Sequence, residues 1–206
     1  MTRGAIILCG GESSRMGRDK AMLPFGPGEV MLQRVARLVG EAVPIDRIVC
    51  VAAPGQTLPQ LAAAIQFVFD PIPHSGPLAG LATGMVAIES RAAAVFTTGC
   101  DVPLLVPAFI ERMFDLLDDD EIAAPHDGQR WHPLAAVYRT NVLPRIDSLL
   151  AAGERSLVAL LESSRTRRVP IDDLRDVDPQ LASLTACNTP DDYRNALRRA
   201  SATTPE

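Results

Sequence analysis

Four short apolar runs constrain this chain more than any other feature: AIILC (5–9), RIVCVAA (47–53), IQFVFD (65–70) and AAVFTTGCD (93–101). Each is nearly continuous in apolar residues and rich in β-branched ones, the pattern of strands buried on both faces. Helical periods lie between them. Met31, Leu32, Val35, Leu38, Val39 and Ala42 recur at the spacing of one helix face, and Leu78 to Ser90 is a second, small-residue-rich helical segment. Strands that alternate with helices imply a parallel sheet with right-handed crossovers, hence a layered α/β fold. The chain has 206 residues, 47% of them hydrophobic, with 22% charged and a net charge of -5, which excludes a disordered chain. No apolar run reaches the roughly 20 residues a membrane span requires.

The rhythm changes after Leu117. EIAAPHDGQRWHPLAAVY reads as two antiparallel strand segments across a turn near Asp127-Gly128, followed by helices near Val142 to Ala151 and Ser156 to Glu162. The last helix has Thr189 as cap, Pro190 at its first position, Asp191 and Asp192 in its first turn, and Arg198 and Arg199 in its last. One domain over 1–200 is expected, with a nucleotide-binding half (1–117), a second half (118–200) and a frayed tail from Ser201 (201–206).

With one Trp, two Tyr and six Phe on an acidic chain, the basic surface and stacking platforms of a nucleic-acid binder are missing. Cys9, Cys50, Cys100 and Cys187 are dispersed, with neither zinc-ligand nor disulfide spacing, and read as small buried hydrophobes. No segment has a signal-peptide core, so the expected location is cytoplasmic.

In a parallel α/β sheet, ligands bind beyond the carboxyl ends of the strands. Directly after the first run comes LCGGESSRMGRDK (8–20), with three glycines, two serines, Arg15, Arg18 and Lys20. Glycines let backbone N–H groups approach an anion, and the cations neutralise phosphate charge. The loop is neither a GxxxxGK[ST] nor a GxGxxG motif. Asp101 ends the fourth run and suits Mg²⁺ facing a polyphosphate, because that ion keeps several waters and takes few protein ligands. Capping a helix near Pro107 is a poor alternative for Asp101. Asp70 ends the third run before PIPHSGPLAG, where Gly76 and Gly80 bracket a turn into a helix; turn initiation is the competing reading of Asp70. A basic glycine loop, two carboxylates and a second glycine loop suit a metal-assisted reaction at a nucleoside triphosphate.

LCGGESSRMGRDKAMLPFG resembles the signature loop of nucleotidyltransferases with a Rossmann-like, glycosyltransferase-A-type fold. Together with FDPIPHSGPLAG, CDVPLL, HPLAAVY, AAGERS and NTPDDY, it resembles the molybdenum cofactor guanylyltransferase (MobA) family over about Ala5 to Leu197. The resemblance implies a three-layer α/β sandwich, with a mostly parallel sheet, helices on both faces and an antiparallel addition in the C-terminal half, whose 118–200 part binds the pterin. It further implies transfer of GMP from GTP to the terminal phosphate of molybdopterin, with transient contact with molybdoenzymes or their chaperones; no long apolar seam is evident, so a monomer is expected.

Carried over by position, Leu8, Cys9, Gly10 and Gly11 line the guanine pocket, Lys20 contacts GTP, and Arg15 grips the triphosphate. Asp70 sits in the nucleotide site, Gly76 and Gly80 belong to the second loop, and Asp101 binds Mg²⁺; Arg15, Lys20 and Asp101 form the catalytic set. Two departures stand out: Val51 aligns with a family Asn, and TACNTP has Ala186 and Asn188 where two Asn are common. The alternatives are a relative that uses CTP, or a sugar or alditol phosphate acceptor, and a non-catalytic nucleotide-binding module. His74 and His132 fall near the pterin end, Trp131 is a packing residue or a pterin contact, and Arg165, Arg167 and Arg168 read as a solvated strand edge.

Overall fold

A computed structural model describes residues 1–10, 19–70 and 76–203. Among the described residues the strands are β1 (Arg3–Leu8), β2 (Ile48–Ala52), β3 (Gln66–Phe69), β4 (Ala94–Gly99), β5 (Ile122–His126), β6 (Ala135–Arg139) and β7 (Thr166–Pro170). The helices are α1 (Met31–Gly40), α2 (Pro77–Ile88), α3 (Pro107–Asp115), α4 (Leu143–Ala151), α5 (Leu157–Ser163) and α6 (Pro190–Thr203). The strands form one sheet in the order β3-β2-β1-β4-β6-β5-β7.

All strand pairs are parallel except those that β6 makes with β4 and β5. Because β6 opposes both neighbours, β5 runs with β4, and the carboxyl ends of six strands share one edge. That edge carries Leu8, Ala52, Phe69, Gly99, His126 and Pro170 in turn. The antiparallel addition is therefore a single inserted strand.

Successive side chains of a strand point to opposite faces, so each buried strand feeds two cores. On one face Ile7, Cys50 and Phe96 pack with Leu32 and Val35 of α1 and Phe109 and Met113 of α3. On the other, Ile6, Val49 and Val95 meet Leu78 and Met85 of α2, Ile146 of α4 and Leu160 of α5. The three expected layers are present. Helix α2 approaches β1 closely because it is poor in bulky side chains: a Cβ at Gly84 would lie 2.7 Å from Ile6 Cγ2.

One expectation is corrected. IQFVFD is not buried on both faces; β3 is an edge strand, and Phe69 is 51% exposed. Periodicity reports apolar content but not sheet position, and nothing in the described sheet lies beyond β3. Helix α6 continues through Thr203. Ser201 supports that extra turn by donating from its hydroxyl to the Leu197 carbonyl, 3.0 Å away.

Candidate active site

The site is built where β1 and β4 end side by side. Leu8 pairs with Gly99 in register, and the Cys100 N–H donates to the Leu8 carbonyl at 3.0 Å, so the chain delivers Asp101 directly beside the start of the glycine loop. Asp101 does not cap α3, whose preceding residue is Val106. The Asp101 carboxylate instead receives the Lys20 ammonium at Oδ2, 2.8 Å away, across 81 positions of sequence. Both side chains are 18% exposed, which reduces the water screening of the pair relative to a surface ion pair.

Lys20 Nζ also donates to Asn188 Oδ1 at 2.9 Å. Asn188 is fixed by the segment entering α6. The Cys187 N–H donates to the Asp101 carbonyl at 2.8 Å, and the Asp192 carboxylate accepts from the Asn188 and Thr189 amides. In return the Thr189 hydroxyl accepts from the Asp192 amide at 3.1 Å, completing a reciprocal cap. Hydrogen bonding from Thr189 and Asn188, with Lys20 nearby, holds the Asp192 carboxyl below the usual carboxylate range. Lys20, Asp101 and Asn188, expected from sequence, are thus brought together.

The remaining candidates surround this centre. Cys9 is buried, its N–H donating to the Val51 carbonyl and its carbonyl accepting from the Gln56 side chain; exposed backbone begins at Gly10, which lies over Ala52 and Ala53. Asp70 extends the β2–β3 ladder by one residue through its N–H to the Ala52 carbonyl. Val51 is only 3% exposed and faces the α2 layer, where a Cβ on Gly80 would lie 3.3 Å from Leu8 and 4.0 Å from Val51. In this geometry Gly80 permits close packing of α2 on the sheet. Gly76 has φ +85°, and a Cβ there would sit 3.1 Å from Arg155 Cβ, so the second glycine loop and the AAGERS segment are packed together. Gly11, Arg15, Arg18 and His74 lie outside the described residues.

At the far end of the same edge, Asp127 receives the Gln129 and Arg130 amides and contacts His132 at 3.2 Å, and the two amide bonds hold its carboxyl far below the usual range. Trp131 packs edge-on against His126, and the Arg168 guanidinium lies over the Trp131 ring at 5.5 Å. Burial and Arg168 together push the His126 pKa down. Strand β7 is an edge, as its arginines predicted, although Arg168 folds inward over Trp131.

Sequence reasoning placed Asp192 in the first turn of the last helix but missed Gly99 and Asp19. A Cβ on Gly99 would lie 2.5 Å from Asp101 Oδ1, so glycine admits this carboxylate orientation. Asp19 accepts the Ala21 amide at 3.0 Å and caps the 3-10 turn Lys20–Met22 that carries the lysine. Its position immediately before Lys20, ahead of a turn, is the signal that would have found it.

Residues 5–169 match the model of the MobA-like NTP transferase domain. The chain is 39% identical to a probable molybdenum cofactor guanylyltransferase from Mycobacterium avium, an alignment that covers 98% of each protein. It is 37% identical to the protein of that name from Mycobacterium tuberculosis over 82% of this chain and 84% of the relative. Among solved structures, the molybdopterin-guanine dinucleotide biosynthesis protein A from Archaeoglobus fulgidus superposes with a TM-score of 0.78 at 20% identity, covering 98% of this chain and 100% of that one. With its sheet edge, its lysine–aspartate centre and these relatives, the chain belongs to the MobA-like NTP transferase family.

Proposed function

We propose that this nucleotidyltransferase moves GMP from GTP to the terminal phosphate of molybdopterin, releasing pyrophosphate and forming the guanine dinucleotide cofactor. The observation that carries the reading is the meeting of Lys20, Asp101 and Asn188, from three distant segments, at the ligand edge of the sheet with contacts of 2.8 and 2.9 Å. The names and the near-complete coverage of the curated relatives support the substrates. The CTP-using, sugar-acceptor and non-catalytic alternatives are not favoured by these relatives.

The attacking pterin phosphate is already an anion, so no side chain has to remove a proton. What the protein must do is hold two polyanions in line and offset the charge that grows on the leaving pyrophosphate. Lys20 supplies a positioned ammonium whose direction Asn188 sets. Arg15 supplies a second cation.

Asp101 fits a divalent metal, which we assign as Mg²⁺. The described residues contain no group of three or more His, Cys, Asp or Glu that could hold an ion by themselves. Magnesium needs no such cage, because it binds through one or two carboxylates, substrate phosphates and water. Held by Asp101, such an ion would supply charge neutralisation to the triphosphate. With Val51 turned into the core, recognition of the base falls to backbone groups around Gly10. The protein acts as a cytoplasmic monomer that meets molybdoenzymes or their chaperones transiently.

The test is to incubate the purified protein with Mg²⁺, molybdopterin, molybdate and each of GTP, CTP and ATP, and to measure pyrophosphate release. Release with GTP alone is expected. Release with CTP alone would replace the guanylyl assignment by a cytidylyl one, and release with none of the three would overturn the transferase reading.

A further inference from the structure

The chain leaving β2 reads Ala53-Pro54-Gly55-Gln56. Proline at the second position, glycine at the third with φ +75°, and a 3.1 Å hydrogen bond from the Gln56 amide to the Ala53 carbonyl make this a type II turn. The turn folds Gln56 back over the ligand edge, where its carboxamide makes three contacts. Oε1 accepts from the Ala53 amide at 3.0 Å, while Nε2 donates to the Cys9 carbonyl and to Asp19 Oδ1, both at 3.1 Å. The partners dictate this orientation: a flipped amide would set its oxygen against two acceptors and its NH₂ against a donor.

Those partners belong to three different parts of the site. Cys9 follows the last residue of β1, Ala53 follows the last residue of β2, and Asp19 caps the turn that presents Lys20. One side chain therefore ties the exposed backbone edge at Gly10 to the element that carries the lysine.

We propose that Gln56 is a positioning residue that sets the separation between the Gly10 backbone edge and the Lys20 ammonium, and with it the fit of a nucleoside triphosphate. This rests on the nucleotide reading of the site given above. A role limited to stabilising the turn would need only the Oε1 contact with Ala53, and Gln56→Glu keeps that acceptor. It removes both donors and places a carboxylate against Asp19. Asp19→Asn, added to it, removes the like-charge repulsion of the pair while its Oδ1 still accepts the Ala21 amide.

In Gln56→Glu, kcat/KM for GTP should fall about tenfold to a hundredfold, the scale expected when a charge-bearing group is misplaced. The thermal midpoint should stay near that of the wild type, and the Asp19→Asn/Gln56→Glu double variant should recover most of the loss. Amide hydrogen exchange at Ala21, measured without nucleotide, should quicken in the single variant and slow again in the double one. Exchange does not depend on which nucleotide is the substrate. A wild-type protein that fails to use GTP would therefore count against the substrate reading while the Gln56 test still stands. Wild-type kcat/KM together with unchanged Ala21 exchange in Gln56→Glu would overturn the proposal, as would a double variant no better than the single one.

Discussion

Lys20 and Asp101 each satisfy the other's charge at 2.8 Å, and Asn188 limits the directions the ammonium can take. Such an arrangement holds the ammonium at the ligand edge of the sheet before any substrate arrives. Lys20→Met and Asp101→Asn should each lower kcat by on the order of 10²–10³ while leaving the circular dichroism spectrum unchanged. Activity within threefold of the wild type in either variant would remove that residue from the catalytic set. These two residues and Asn188 were legible in the sequence because each carries its own chemistry and follows a strand or precedes a capped helix. Gly99 and Gln56 were not, since their roles come from neighbours that only folding supplies. Gly99 matters through the carboxylate two residues away, and Gln56 through partners 37 and 47 positions distant.

At the scale of elements, the buried strands were legible because their apolar runs have a length and composition that helices do not share. The edge position of β3 was not, because strand order is set by crossovers and leaves no mark in periodicity. The reversed direction of β6 was legible from the turn at Asp127-Gly128, although that connection occupies residues 127–134 and folds Trp131 back to bridge His126. The start of α6 offers a test. The folded pKa of Asp192 lies below its unfolded value, so its contribution to stability is complete above about pH 3.9 and is lost as pH falls through the folded value. Thermal unfolding of the wild type and of Asp192→Asn should therefore differ most at pH 7, with the gap narrowing as pH falls below about 3.9, and a gap that does not narrow in acid would argue against this linkage.

Across the whole molecule, the net charge of -5 does not oppose the proposed binding of two polyanions, because Lys20 stands at the ligand edge and Arg15 and Arg18 precede it in the sequence. Among the described residues no helix is long and apolar enough to cross a membrane. All four cysteines are buried thiols, as their apolar surroundings predicted. Hydrogen bonding with Cys100 and Cys50, with burial, raises the Cys9 pKa, and burial pushes Cys187 up to about 12. A thiol reagent such as 5,5′-dithiobis(2-nitrobenzoate) at pH 8 should leave the native protein unmodified and titrate four groups after denaturation; rapid labelling of the folded chain would contradict the burial of the cluster. Under the proposed function, the lysine–aspartate contact makes the binding of cation and nucleotide interdependent. Without nucleotide, a divalent cation approaching Asp101 must compete with an ammonium already in place. A triphosphate that draws Lys20 to itself frees the carboxylate, and by thermodynamic reciprocity the cation then strengthens nucleotide binding by the same factor. Calorimetric titration with Mn²⁺ alone should find weak binding that tightens when GTP is present, and Lys20→Met should raise the affinity for Mn²⁺ alone while shrinking that mutual gain.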